Sequence, residues 1–374
     1  MYDAAIVGAG IAGGCMAAVL ADFGWDVLLM DQHAFPRHKV CGEFLSPEAR
    51  TALRSFGLDK LVDSLRPSGM EKVHLTAEDG TVLEIPLPGT ALGVSRYALD
   101  SALLKVASEK GADVRTNMKV TAVQPVKRGY KLELYHKSRT WTAEARIVIG
   151  AWGRSPRLGL TGGRRPDPGM GMIGVKSHYE GIGHEAAVEL YFFPGGYLGL
   201  SPVEGGRTNV AALLSPEAFH RAGKTAENAI AMAARYNSAL GRRLEGGQPV
   251  PGTQKAVAPV TLSRKPVAWD VVPHIGDAAA VVAPLCGDGM AMALRSVELC
   301  VPWADRFLRG DITQDVWRSQ YTRSLRKQFS GPLWWGNLLQ HAMAQPLLAS
   351  ALLRFGWRMP GTAAQLVRAT RLKE

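Results

Sequence analysis

The chain has 374 residues, 47% hydrophobic and 21% charged. That is room for about two folded units of ordinary globular composition and excludes a disordered, collagenous or coiled-coil chain. Four scattered cysteines with no CxxC, and histidines without ligand spacing, argue against a disulfide framework and a metal site, so a reduced, cytoplasmic protein is expected; a net charge of +11 directs attention to anionic partners.

Met1 runs straight into apolar residues with no basic leader or cleavage site, so no signal peptide is expected. Tyr2 to Val7 reads as a strand entering Gly8-Ala9-Gly10-Ile11-Ala12-Gly13, followed by helix to Phe23 and a second strand, Val27 to Met30, ending in Asp31. Gly8 permits the turn, Gly10 lets backbone approach a pyrophosphate, and Gly13 brings helix against strand. The helix N-terminus offers amides to the phosphates, and Asp31 stands where a carboxylate accepts from both ribose hydroxyls. A dinucleotide site follows.

Further along, residues alternate like half-buried strands at Glu71 to Thr76, Val82 to Pro86, Gly171 to Tyr179, Ala187 to Phe193, Tyr197 to Pro202 and Thr208 to Leu214. Helices are predicted over Pro216 to Tyr236 and Asn237 to Leu244. An apolar strand, Val271 to Ile275, leads to Asp277, whose carboxylate can bind a hydroxyl of a ligand. Gly287, Asp288 and Gly289 open a helix running from Met290 to about Leu308, so their amides face outward at its N-terminus. Amides and a helix dipole there suit a group that develops negative charge.

Four strings in order resemble the FAD-dependent oxidoreductases of the para-hydroxybenzoate hydroxylase superfamily, closest to its geranylgeranyl reductase and flavin-dependent halogenase branch. They are Phe35-Pro36-Arg37-His38-Lys39-Val40-Cys41-Gly42-Glu43-Phe44-Leu45-Ser46-Pro47, Ser95-Arg96-Tyr97-Ala98-Leu99-Asp100, Gly150-Ala151-Trp152-Gly153-Arg154-Ser155-Pro156-Arg157, and His274-Ile275-Gly276-Asp277 with Pro284 to Met290. The resemblance spans residues 1 to about 310. It implies FAD as cofactor and NAD(P)H as electron donor, with Arg96 near the diphosphate. The implied cofactor set is Gly8, Gly10, Ala12, Gly13, Asp31, Arg37, Lys39, Cys41, Gly42, Arg96, Val120, Ala151, Gly153, Asp277, Pro284, Gly287, Asp288, Gly289 and Met290.

Two departures stand out. Trp152 replaces the Asp of the family's DG motif, and in the stretch from Tyr197 to Pro202 Gly199 and Ser201 replace the reductases' Trp and Phe, leaving room beside the flavin for a bulkier substrate. The halogenase WxWxIP string is missing. Candidate catalytic residues are Cys41, Glu43 and Tyr197. Cys41 either touches substrate or is a small buried thiol, and Glu43 and Lys39 either assist proton transfer or pair to order the loop.

Between Val316 and Lys373 stand nine basic residues and no acidic one, around an uncharged apolar run from Gln328 to Leu353 broken by Pro332 and Pro346. The run is too interrupted to span a membrane. Two short amphipathic helices are expected, either capping the substrate entrance or lying on an anionic membrane surface. No nucleic-acid-binding signature is present, so nucleic acid is not an expected partner.

The expected fold is α/β. A Rossmann-like FAD domain takes residues 1–68, 95–160 and 265–325, a discontinuous sheet domain for substrate takes 69–94 and 161–264, and a helical cap takes 326–374. The leading expectation is a monooxygenase acting on a hydrophobic aromatic, polyketide or isoprenoid molecule. The alternatives are a reductase saturating isoprenoid double bonds and a non-catalytic flavoprotein at a membrane surface.

Overall fold

A computed structural model describes residues 1–154, 160, 171–183, 185–358 and 371–372. Ser155 to Arg157 of the third family string, together with Arg368 and Lys373, lie outside the described residues. The first sheet is built on Tyr2–Val7, which pairs in parallel with Val27–Met30 on one edge and Arg139–Gly150 on the other. Asp113–Arg115 extends it beyond Val27–Met30, while Gly129–His136 and Lys119–Val126 add antiparallel strands beyond Arg139–Gly150. Ala4 and Ile6 point to one core cluster and Ala5 and Val7 to another. A strand buried on both faces must be apolar throughout, which is why this one reads as an unbroken run. Helices Ile11–Asp22, Arg96–Glu109 and Gly289–Arg309 cover the Ala4 and Ile6 face.

The second sheet is mixed. From one edge it runs Gln248–Pro249, Met172–Glu180, Arg207–Leu214, Gly196–Val203, Ala187–Phe193, Ser68–Thr76, Val82–Gly93 and Phe44–Leu45, with Lys255–Val260 also on Met172–Glu180. Ala187–Phe193 against Ser68–Thr76 is parallel, and the other pairings are antiparallel. Alternation sorts its side chains. Tyr191, Phe193, Leu198 and Leu214 meet Ile230, Ala233 and Leu240 of the helical layer, while Leu190, Phe192, Tyr197 and Leu213 face the C-terminal helices. The α/β class and the mixed sheet are as expected.

Four local expectations need correction. Val271 to Ile275 makes isolated bridges rather than a strand, since Pro273 has no N–H with which to continue a ladder. The helix expected from Pro216 to Tyr236 stops at Arg221, because Gly223 and Lys224 both take positive φ and Thr225 caps a new helix, Ala226–Tyr236. Residues 44–45, placed with the nucleotide domain, hydrogen-bond to Leu92 and Gly93 in the second sheet. Lastly, Pro332 does not break the C-terminal run: Gln314–Met343 is one helix of 30 residues, followed by Pro346–Arg358. Its buried stripe of Trp317, Tyr321, Leu325, Phe329 and Leu333 packs into the nucleotide-domain core, and that burial outweighs the backbone bond lost at the proline.

Candidate active site

The site begins where the first strand turns. Gly8 has φ +109°, and a Cβ there would meet the Ala151 carbonyl oxygen at 2.3 Å; one at Gly13 would meet the Gly8 carbonyl oxygen at 1.8 Å. Glycine is therefore required at both positions. Ala12 packs against Gly276, and Gly10 caps the following helix without a side-chain hydrogen bond, leaving its first-turn amides available to an anion. Asp31 accepts from Ala9 N and His33 N, each at 2.9 Å, so its carboxylate both fixes the turn and is held beside it. Arg37 lies 3.9 Å from that carboxylate and rests over the Phe35 ring.

Three cations converge beside the turn. A Cβ on Gly10 would lie 3.4 Å from Arg96 Nη2 and 4.0 Å from Lys39 Nζ, and one on Gly153 would lie 3.9 Å from Lys39 Nζ. Arg96 donates to both oxygens of Asp100, at 2.8 and 2.7 Å. Burial works against its charge, but Asp100 more than offsets this and its pKa is raised. Burial and neighbouring Arg96 push the Lys39 ammonium down to about 8. Arg154 approaches Asp277 at 3.7 Å, linking this cluster to the Gly276 turn. Such a set of like charges calls for a multivalent anion.

Next comes the loop from Pro284 to Gly289. Gly287 has φ +72° and leans on Phe44, Gly289 opens the long helix, and Met290 is buried behind it. Asp288 is fully buried with neither carboxylate oxygen hydrogen-bonded, and burial pushes its pKa up to about 7. Cys41, Gly42, Arg154 and Pro284 to Gly287 form one end of a cavity of about 270 Å³. Leu75, Ile85, Leu190 and Phe192 of the second sheet and Leu339, Met343, Leu352 and Leu353 of the C-terminal helices make its walls. Gly199 and Ser201 both line it, so the missing aromatics do enlarge this space. A wider depression near Met1 and Arg128 is lined by none of the motif residues.

The candidate catalytic residues separate. Cys41 and Tyr197 line the cavity. Burial and Cys286 raise the Tyr197 phenol well above its ordinary value, so it keeps its proton at neutral pH. Glu43 does not face the cavity, and the pair with Lys39 is not formed. Its carboxylate instead receives Lys176 Nζ and pairs with His178 Nε2, each at 2.6 Å, and accepts from Arg96 N at 3.0 Å. Glu43 therefore braces the loop carrying Cys41. Val120 pairs with Leu134 in the first sheet, its side chain inside the core. Trp152 fills the space left by the missing Cβ of Gly150, meets His274 edge-on and packs half-buried against the core.

Sequence reasoning missed Lys176, His178 and Asn209, the last of which donates to the Cys41 carbonyl oxygen at 3.0 Å. The available signal was two ionisable residues two apart, Lys176 and His178, which a strand places on one face. Among the described residues no group of His, Cys, Asp or Glu could hold a metal.

A model of the FAD binding domain matches residues 1–303. The menaquinone reductase of Mycobacterium tuberculosis strain H37Rv is 30% identical over 81% of this chain and 76% of its own length. Digeranylgeranylglycerophospholipid reductase 2 of Methanopyrus kandleri is 26% identical over 87% of this chain and 84% of its own. Among solved structures, the myxobacterial chondrochloren halogenase superposes with TM-score 0.81 over 92% of this chain and 83% of its own at 20% identity, a likeness of fold.

Proposed function

The chain belongs to the FAD binding domain family, and from that premise we propose that it is a flavin-dependent reductase that saturates carbon–carbon double bonds in the isoprenoid chain of a lipid. The residues fit the cofactor. Gly10 and Gly153 leave a cradle that any Cβ would fill, three cations surround it, and the amides opening the Gly289–Arg309 helix lie beyond. Asp31 suits the ribose, Lys39 and Arg96 the diphosphate, Asp277 the ribityl chain, and the Pro284 to Gly289 loop the ring. When bound and reduced, FAD supplies a hydride.

The cavity carries the reading. Its walls are aliphatic and aromatic along most of their length, and an isoprenoid chain needs no polar partner there. Cys41 stands at the motif end of the cavity, where its thiol can give a proton to the carbon that does not receive the hydride. Tyr197 keeps its proton and its place in the wall. The C-terminal helices cover part of the cavity and so limit the access of water to a ring bound there. Reduction of the flavin falls to NAD(P)H docking transiently or to a separate reductase, since the chain's second GxGxxG, Gly169 to Gly174, runs into the Met172–Glu180 strand rather than a helix. Similarity to reductases named for menaquinone and for a digeranylgeranyl lipid supports this choice over hydroxylation.

The test is product identity. Protein loaded with FAD and chemically reduced under nitrogen is given a polyprenyl lipid, and the product is weighed by mass spectrometry. Gain of two hydrogens supports the reading, while product that forms only with oxygen and carries an added oxygen atom supports a monooxygenase.

A further inference from the structure

The Gln314–Met343 helix is buried along one side, and its opposite side is one exposed stripe. Arg323, Arg326 and Lys327 lie at its N-terminal end and Trp334 and Leu338 at its C-terminal end, at spacings of three, four, seven and eight residues. Trp334 is 59% and Leu338 47% exposed, and the next helix adds Leu348 at 46% and Phe355 at 49%. Phe355 is also a wall of the cavity, so the exposed apolar face of this second helix reaches the interior of the site. From Val316 to Arg358 there is no acidic residue.

We propose that this stripe, with Leu348 and Phe355, docks the protein on an anionic lipid bilayer. The two halves of the stripe match the two layers of such a surface. Cations meet phosphates, Trp334 sits at the headgroup level, and Leu338 reaches the acyl chains. A second copy of the chain brings no carboxylate on this stripe to meet Arg323, Arg326 and Lys327, so a lipid surface is the better complement. No described helix is long and apolar enough to cross a membrane, so contact is at the surface. Docking there sets Phe355 and the cavity beside the lipid phase.

Sedimentation of the FAD-loaded full chain with sucrose-filled vesicles tests this. Pelleting is expected with phosphatidylcholine vesicles containing phosphatidylglycerol, weaker at high salt and absent with phosphatidylcholine alone. The double variants Trp334→Glu/Leu338→Glu and Arg326→Glu/Lys327→Glu should each lower the bound-to-free ratio by roughly tenfold or more, with FAD content and unfolding temperature unchanged. Brominated phosphatidylglycerol should quench the native fluorescence, and Trp334→Phe should remove part of that quenching; this readout needs no charge introduced. Any of three results overturns the proposal: no pelleting on phosphatidylglycerol vesicles at low salt, quenching indifferent to Trp334→Phe, or a dimer that Trp334→Glu dissociates. Turnover of a detergent-dispersed polyprenyl lipid needs no bilayer, so the reductase reading is judged separately.

Discussion

Lys176 Nζ lies 2.6 Å from Glu43 Oε1, and both side chains are 0% exposed. With His178 on the other carboxylate oxygen, the trio forms a buried brace directly behind Cys41 and Gly42. Burial alone would raise the Glu43 carboxyl, but the His178 hydrogen bond and the Lys176 ammonium outweigh it and hold the carboxyl below the usual range.

Replacing Glu43 by Gln should therefore cost about 3–5 kcal/mol of stability, because Lys176 is left buried without its counter-charge. The double variant Glu43→Gln/Lys176→Met should recover much of that loss. A carboxyl with a depressed native pKa contributes stability above its unfolded value of about 4.3 and loses it as pH falls through the native value. Urea titrations at neutral pH and below about pH 4 check both points: the wild type should weaken more steeply on the acid side than the double variant, in which only the remaining paired carboxyls such as Glu48 and Asp113 titrate. Equal stability of wild type and Glu43→Gln at neutral pH would contradict the brace.

FAD affinity should fall as pH rises above about 8. The Lys39 ammonium titrates near 8 in the protein alone, and a diphosphate beside it favours the charged form, so binding above that pH takes up a proton. A loss of roughly five- to tenfold between about pH 8 and pH 9 is expected by titration calorimetry. Lys39→Met should bind more weakly throughout and show no such slope. A slope that survives the substitution would remove Lys39 from the diphosphate site.

Asp288 gives the opposite pH signature. Its native pKa of about 7 is raised above the unfolded value near 3.9, so its contribution is fully present below about pH 4 and lost as pH rises through about 7. Asp288→Asn, which cannot ionise, should match the wild type near pH 4 and exceed it by about 4 kcal/mol above neutrality. Thermal unfolding of both proteins across that range decides it, and parallel curves would place the Asp288 carboxylate in contact with water or a partner.

Gly199→Trp should shorten the cavity. A Cβ at this position would lie 3.0 Å from Leu190 Cδ2, a side-chain end that can give way, and an indole would project into the space the natural glycine leaves. Long polyprenyl substrates should lose at least tenfold in kcat/KM, about the effect of 1.4 kcal/mol of lost fit. Short prenyl analogues and FAD retention should change little. Equal losses for short and long chains would mean that the substrate does not run past Gly199.

The nucleotide half of the site was legible because backbone geometry dictates it: no residue but glycine survives a 1.8 Å approach at Gly13, and Asp31 must follow the second strand to reach the turn. The apolar faces of the second sheet were legible from alternation at Leu190 to Phe193. What the sequence hid depends on distant packing. Glu43 finds Lys176 across 133 residues, a distance no local spacing encodes. Pro332 reads as a breaker, yet the buried stripe from Trp317 to Leu333 holds the helix through it. Pro273 reads as part of a strand because its neighbours are apolar, although its missing donor confines it to a bridge.

The most direct measurement is anaerobic stopped-flow absorbance of the protein carrying reduced FAD, mixed with a polyprenyl lipid in detergent. Recovery of the oxidised flavin spectrum without oxygen, at a rate that rises with lipid concentration and drops in Cys41→Ala, is the expected result. A flavin that stays reduced until oxygen is admitted, whatever lipid is present, would contradict hydride delivery into the cavity.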